Sequence, residues 1–106
     1  MFRLAFFPKM RAKELSYYGT PTALSAARQT LAGASVGDYA LFGGGHTGSY
    51  SDVVDAYNTS LTRSTPTALS AARQTLAGAS VGDYALFGGG WNGTSRLDTV
   101  DAYEFS

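Results

Sequence analysis

Apolar residues along the chain are gathered into short runs between glycines and polar turns, a spacing with the length of strands. The clearest run is Tyr39-Ala40-Leu41-Phe42, preceded by Gly37-Asp38 and followed by Gly43-Gly44-Gly45. An unbroken apolar run of this kind predicts a central strand covered on both faces. Gly33 to Val36 then reads as the end of a first strand, with Gly37-Asp38 as the tight turn into the second. Val53 to Tyr57 predicts a third strand, and Asn58-Thr59-Ser60 turns the chain after it. Leu61 to Ser70 predicts an irregular outer fourth strand, because Pro66 removes a donor and is tolerated only at a sheet edge. The glycine triplet allows positive φ and close approach of another backbone, as a crowded strand end requires.

One segment supports a second reading. Thr20 to Gly33 carries the signals of a helix: Thr20 as N-cap, Pro21 at the first position and Gly33 as the stop. Leu24, Ala27 and Leu31 would share one face of it. Propensity alone therefore favours a helix at about 20–32 and an α/β repeat.

The chain repeats itself. Thr20 to Gly45 recurs without one change as Thr65 to Gly90, a shift of 45 residues. Asp52-Val53-Val54-Asp55-Ala56-Tyr57 recurs as Asp98-Thr99-Val100-Asp101-Ala102-Tyr103, a shift of 46 residues. One residue is therefore inserted between the two blocks, which marks a loop. The copies differ most there, reading His46-Thr47-Gly48-Ser49-Tyr50-Ser51 and Trp91-Asn92-Gly93-Thr94-Ser95-Arg96-Leu97. The organisation expected is an N-terminal arm over 1–19, a first repeat over 20–64 and a second over 65–106. Units of this size cannot bury their own apolar faces and complete a core only against a neighbour.

Arg28, then Gly37-Asp38-Tyr39-Ala40-Leu41-Phe42-Gly43-Gly44, then Val54-Asp55-Ala56-Tyr57-Asn58 resembles the kelch repeat. Arg73, Asp83 to Gly89 and Val100 to Tyr103 supply the second copy, so the resemblance covers Thr20 to the C-terminus. It implies an all-β fold of two four-stranded β-propeller blades, a partial propeller, and favours strands over the helix. In that frame the second repeat lacks its own fourth strand. The sequence departs from the family at Leu61, where a Trp is usual, and at Asn58 and Glu104, where an Asp usually follows the Tyr. Since propellers close with about four to eight blades, the resemblance implies a homo-oligomer closing a multi-blade ring, or a fragment of a longer array, which could be a catalytic one.

Charge narrows the partners. Eight Lys and Arg balance eight Asp and Glu among 106 residues, so no net field draws nucleic acid or an anionic membrane. The run Leu4-Ala5-Phe6-Phe7, closed by Pro8, is too short for a membrane span or a secretory leader. Arg3, Lys9, Arg11 and Lys13 beside Phe2, Phe6 and Phe7 read as a solvated arm or a packing cap.

Candidate chemistry is sparse. The chain has no Cys and one histidine, His46, which removes thiolate and two-histidine metal sites and leaves no ordinary triad. Some kelch-like proteins are copper oxidases with tyrosine, histidine and a cysteine-linked tyrosine; those residues are absent, and that activity is not implied. The expectation is a non-enzymatic module with no cofactor. Asp38 and Asp83 read as turn residues, Asp55 and Asp101 as outward-facing strand positions, and Arg28 and Arg73 as makers of blade-to-blade hydrogen bonds. Asn58-Thr59-Ser60 and Asn92-Gly93-Thr94 match the glycosylation pattern but read as turns. The binding candidates are His46, Tyr50, Trp91, Asn92 and Arg96, aromatic, polar and cationic residues of the variable loops. They point to a protein or glycan ligand; the alternative is a purely structural repeat.

Overall fold

The computed structural model describes residues 14 to 106. The phenylalanines and cations of the N-terminal arm up to position 13 lie outside the described residues. The fold is all-β, with two antiparallel sheets and, among the described residues, no helix. The first sheet has the order β1 (Ala32–Val36), β2 (Tyr39–Gly43), β3 (Val54–Tyr57) and β4 (Arg63–Ser64). The second has β5 (Ala77–Val81), β6 (Tyr84–Gly88) and β7 (Val100–Glu104).

Val36 pairs with Tyr39, leaving Gly37-Asp38 as a two-residue hairpin turn. Gly37 has φ 55 while Asp38 stays on the negative side, the requirement of a turn with glycine at its first central position. Gly82-Asp83 repeats it between Val81 and Tyr84.

The helix at about 20–32 that propensity alone favours does not form, in keeping with the all-β expectation. Thr20 to Leu31 runs as irregular chain behind its own sheet, because its polar groups find partners there that a helix would forfeit. Ser25 donates its N–H to Asp55 Oδ2, and Gln29 exchanges backbone bonds of 3.0 and 2.9 Å with His46. Thr30, at φ 54, breaks any helical continuation, and Thr75 does the same in the second copy. Tyr57 and Tyr103 anchor the start of each segment, donating their hydroxyls to the carbonyls of Thr22 and Thr67 at 2.8 and 2.6 Å.

The fourth strand is shorter than expected, only Arg63 and Ser64. Leu61 lies in the turn before it at φ 61, held by Asn58, whose Oδ1 accepts from the N–H groups of Ser60 and Thr62.

The core lies between the two sheets. Ala32, Val36, Leu41, Val54 and Ala56 of the first sheet meet Leu69, Leu76, Ala85 and Phe87 of the second repeat. Burying Phe87 alone contributes about 1.5–3 kcal/mol. The expectation that Tyr39 to Phe42 is covered on both faces is corrected: Leu41 is buried, while Ala40 and Phe42 are exposed on the face of β2 that has no neighbouring sheet among the described residues, and Tyr39, on the Leu41 face, is exposed at the strand end beside Phe105. Backbone bonds tie the repeats together: Leu69 N–H to Asp52 O, Arg73 N–H to Ser51 O, Gly45 N–H to Arg73 O and Thr75 N–H to Thr30 O, all between 2.8 and 3.1 Å.

Candidate functional site

The most polar constellation of each repeat is an anchor on the back of the sheet. Asp55 Oδ2 accepts from Ser25 N–H at 3.2 Å, Ser25 Oγ at 3.0 Å and Arg28 Nη1 at 2.9 Å, and Arg28 Nη2 donates to Phe42 O at 3.1 Å. Ser70, Arg73 and Asp101 repeat the arrangement, with Arg73 also donating to the carbonyls of Phe87 and Gly89. Both side chains of the Arg28–Asp55 pair are fully buried; in the second, Arg73 is buried and Asp101 is 19% exposed. Burial by itself pushes the Asp55 carboxyl upward, but the hydrogen bonds from Ser25 and Arg28 and the guanidinium charge outweigh it and hold the group below its ordinary value. Asp101 is lowered in the same way, its burial outweighed by Arg73 and Ser70.

Two sequence expectations change here. Asp55 does not face water and Asp101 is only partly open to it, because the segment opening each repeat folds over them. Arg28 and Arg73 spend their side chains inside their own repeat; it is the backbone of Arg73 that bridges to the other one.

The variable loops stand at one end of the sheets, joining β2 to β3 and β6 to β7. In the first, His46 bridges Gln29 on one side and Tyr50 on the other, and the His46 and Tyr50 rings meet edge to face at 4.9 Å. His46 Nδ1 accepts from Gly48 N–H at 3.3 Å. In the second, Trp91 bridges Gln74 and Arg96 in the same manner. Asn92 Oδ1 accepts from the N–H groups of Thr94 and Ser95, both at 2.8 Å, so its carboxamide oxygen shapes the loop. Gly93, at φ 95, presses on the first loop: a Cβ there would lie 2.8 Å from the Tyr50 ring. The loops are therefore neighbours, and they bring His46, Tyr50, Trp91 and Arg96 to one edge.

Each loop borders a shallow depression. The first, about 350 Å³, is lined by Ala27, Arg28, Gln29, His46, Thr47 and Gly48. The second, about 370 Å³, is lined by Thr75, Gly90, Trp91, Arg96 and Leu97. Gln29 and Gln74 are the residues that sequence reasoning missed; their identical positions before a strand gave no sign that they pair with the loops. A third hollow, about 330 Å³, opens between the sheets at the opposite end, where Val36, Leu41 and Pro66 face Tyr103 and Phe105. Among the described residues no three potential metal ligands come together. No protein-family model and no curated protein matches the chain.

Proposed function

We propose that the chain is an interaction module of kelch-like propeller blades, binding a protein or glycan through the edge formed by its two variable loops, without chemistry of its own. The carrying observation is the contact of Gly93 with Tyr50, which sets the loops side by side. His46, Tyr50, Trp91 and Arg96 then form one aromatic and cationic surface on a rigid β scaffold, the residue types that dominate interface energetics. The glycine-ended strands, the Gly-Asp hairpins and the tyrosine anchors of both sheets support the kelch-like reading.

Binding of the chain to a glycan array and to a displayed-peptide library, repeated with Trp91→Ala and Arg96→Ala, tests this. At least a tenfold weakening in both variants, with unchanged melting temperatures, is expected. Ligands retained at full strength by both variants would remove the loop edge as the binding surface.

A further inference from the structure

Identical sequence in the two repeats is buried on opposite faces. Ala32, Val36, Leu41, Val54 and Ala56 of the first repeat are buried, whereas their counterparts Ala77, Val81, Val100 and Ala102 in the second are exposed and Leu86 is half-buried. Conversely Leu69, Leu76, Ala85 and Phe87 are buried, whereas Leu24 and Leu31 are half-buried and Ala40 and Phe42 exposed. Each sheet thus has a front, carrying Leu41 or Leu86, and a back, carrying Phe42 or Phe87. The core of the molecule is one front closed by one back. Among the described residues the outer surfaces are an uncovered front on the second repeat and an uncovered back on the first, with side chains identical at these positions to those of the closed junction.

Glycines show the same asymmetry at the backbone. A Cβ on Gly78 would fall on the carbonyl of Gly33, and one on Gly43 would touch the Phe87 ring at 3.1 Å. Their counterparts are open: a Cβ on Gly33 would find nothing nearer than 3.7 Å, and one on Gly88 only Val100 at 3.4 Å. A Cβ on Gly44 would meet Arg73 O at 2.8 Å, while one on Gly89 would reach nothing nearer than Leu97 O at 3.6 Å. The outer faces therefore keep the clearances a neighbouring sheet requires, with no neighbour among the described residues using them.

The geometry points to head-to-tail association of this chain with a second copy of itself, the free back of one molecule closing on the free front of another. Phe42 and Ala40 of the incoming chain take the places that Phe87 and Ala85 hold inside the molecule, against Leu86, Gly88 and Val100. Gly33 of the incoming chain meets the Gly78 carbonyl as Gly78 meets that of Gly33. Asp98 O and Gly90 N–H stand where Asp52 O and Gly45 N–H make the internal junction, ready for Leu24 N–H and Arg28 O of the newcomer. The contact is heterologous: each copy uses a different surface, so addition gives a ring where the rotation closes and an open filament where it does not. Apart from the backbone of Gly90 and Arg28, which borders the loop depressions, the contact lies on the sheet faces, so substitutions there separate it from binding at the loop edge.

Light scattering coupled to size exclusion tests the association across a concentration series. The unmodified chain is expected to rise from 11.1 kDa to multiples of it. Gly33→Ala and Ala40→Arg block only the back, Val100→Arg only the front, and each alone is expected to stay at the monomer mass, with the melting temperature that the unmodified chain has at a concentration too low for association. Mixing a back-blocked with a front-blocked variant is expected to give a 1:1 dimer and nothing larger, since one good front and one good back remain. Should Gly33→Ala fail to fold, Ala40→Arg carries the same test. A monomeric unmodified chain at every concentration, single variants that still associate, or a mixture that stays monomeric would each overturn the proposal.

Discussion

Gly78 lies against the carbonyl of Gly33, so closely that a Cβ on Gly78 has no place, while Gly33 itself has space beside it. The two glycines occupy the same position of the same repeated sequence, and only their neighbours differ. Backbone overlap cannot be relieved by a rotamer change, so Gly78→Ala is expected to destabilise the chain by about 3 kcal/mol. Gly33→Ala is expected to stay within about 1 kcal/mol. Urea unfolding of both variants checks the contrast, and equal midpoints would contradict the packing described here.

Phe87 and Phe42 extend the same comparison to side chains. Phe87 is fully buried with its ring edge to face on Tyr103 at 5.8 Å, while Phe42 is 37% exposed against Tyr57. Phe87→Ala leaves a cavity in the core and is expected to cost about 3–5 kcal/mol. Phe42→Ala removes a half-open ring and is expected to cost less than half of that in the monomer, measured at a concentration too low for association.

The two Arg–Asp anchors are expected to rank by burial. Removing one partner of a fully buried pair strands the other charge, at about 3–5 kcal/mol. Arg28→Met therefore leaves Asp55 buried and unpaired, and a loss of that size is comparable with the whole stability of a small domain. Asp101→Asn leaves Arg73 buried without its counter-charge, but is expected to cost less, since Arg73 keeps its bonds to the carbonyls of Phe87 and Gly89 and the amide keeps the shape of the carboxylate. Thermal melts monitored by circular dichroism rank the two; a milder effect for Arg28→Met would reverse the assignment.

Those carboxylates also set the acid limit. Both are held below their ordinary values in the folded chain, so the unfolded chain binds protons first as pH falls. Their stabilisation is complete above the unfolded value of about 4 and is lost as pH drops through the lower folded values. Denaturant midpoints should fall steeply below about pH 4, and less steeply in Asp101→Asn. Tyr103 acts at the other end. Burial first, and the Asp101 charge after it, raise its hydroxyl above the ordinary tyrosine value, so its contribution is present below about pH 10 and lost as pH rises further. Tyr103→Phe is expected to flatten the alkaline limb.

What the sequence disclosed was the local geometry that its turns enforce. Gly37-Asp38 fixed a hairpin, the glycine triplet ended the central strand, and the inserted residue marked the loop that carries Trp91. Local signals failed where tertiary partners decide. Thr20 to Gly33 has every helix signal, yet Asp55, thirty residues beyond Ser25, holds its N–H and hydroxyl. Period-two alternation placed Asp55 in water because nothing local shows that the chain folds back over it. Identical repeats also cannot reveal which face of each is covered, since Phe42 and Phe87 share their sequence surroundings. The inserted residue made the loops legible as loops, but neither the bracing of its own loop by Asn92 Oδ1 nor the contact between Gly93 and Tyr50 has a sequence signature.

Leu61 offers a test of backbone strain apart from any core contact. It sits at φ 61 in the turn that Asn58 caps, where a β-carbon crowds the adjoining carbonyl, at about 1–2 kcal/mol for an ordinary residue. Its side chain is 38% exposed, so replacing it sacrifices little burial. Asparagine tolerates this region through local hydrogen bonding and keeps the unfolded chain no freer than leucine does. Leu61→Asn is therefore expected to stabilise the chain by about 0.5–1 kcal/mol. Leu61→Gly should gain less, because glycine adds freedom to the unfolded state that offsets the relieved strain. A higher melting temperature for Asn than for Gly, with both above the unmodified chain, is the expected order. A drop in both variants would mean that Leu61 contributes through packing against its neighbours, and that the turn is held by that contact instead of by Asn58.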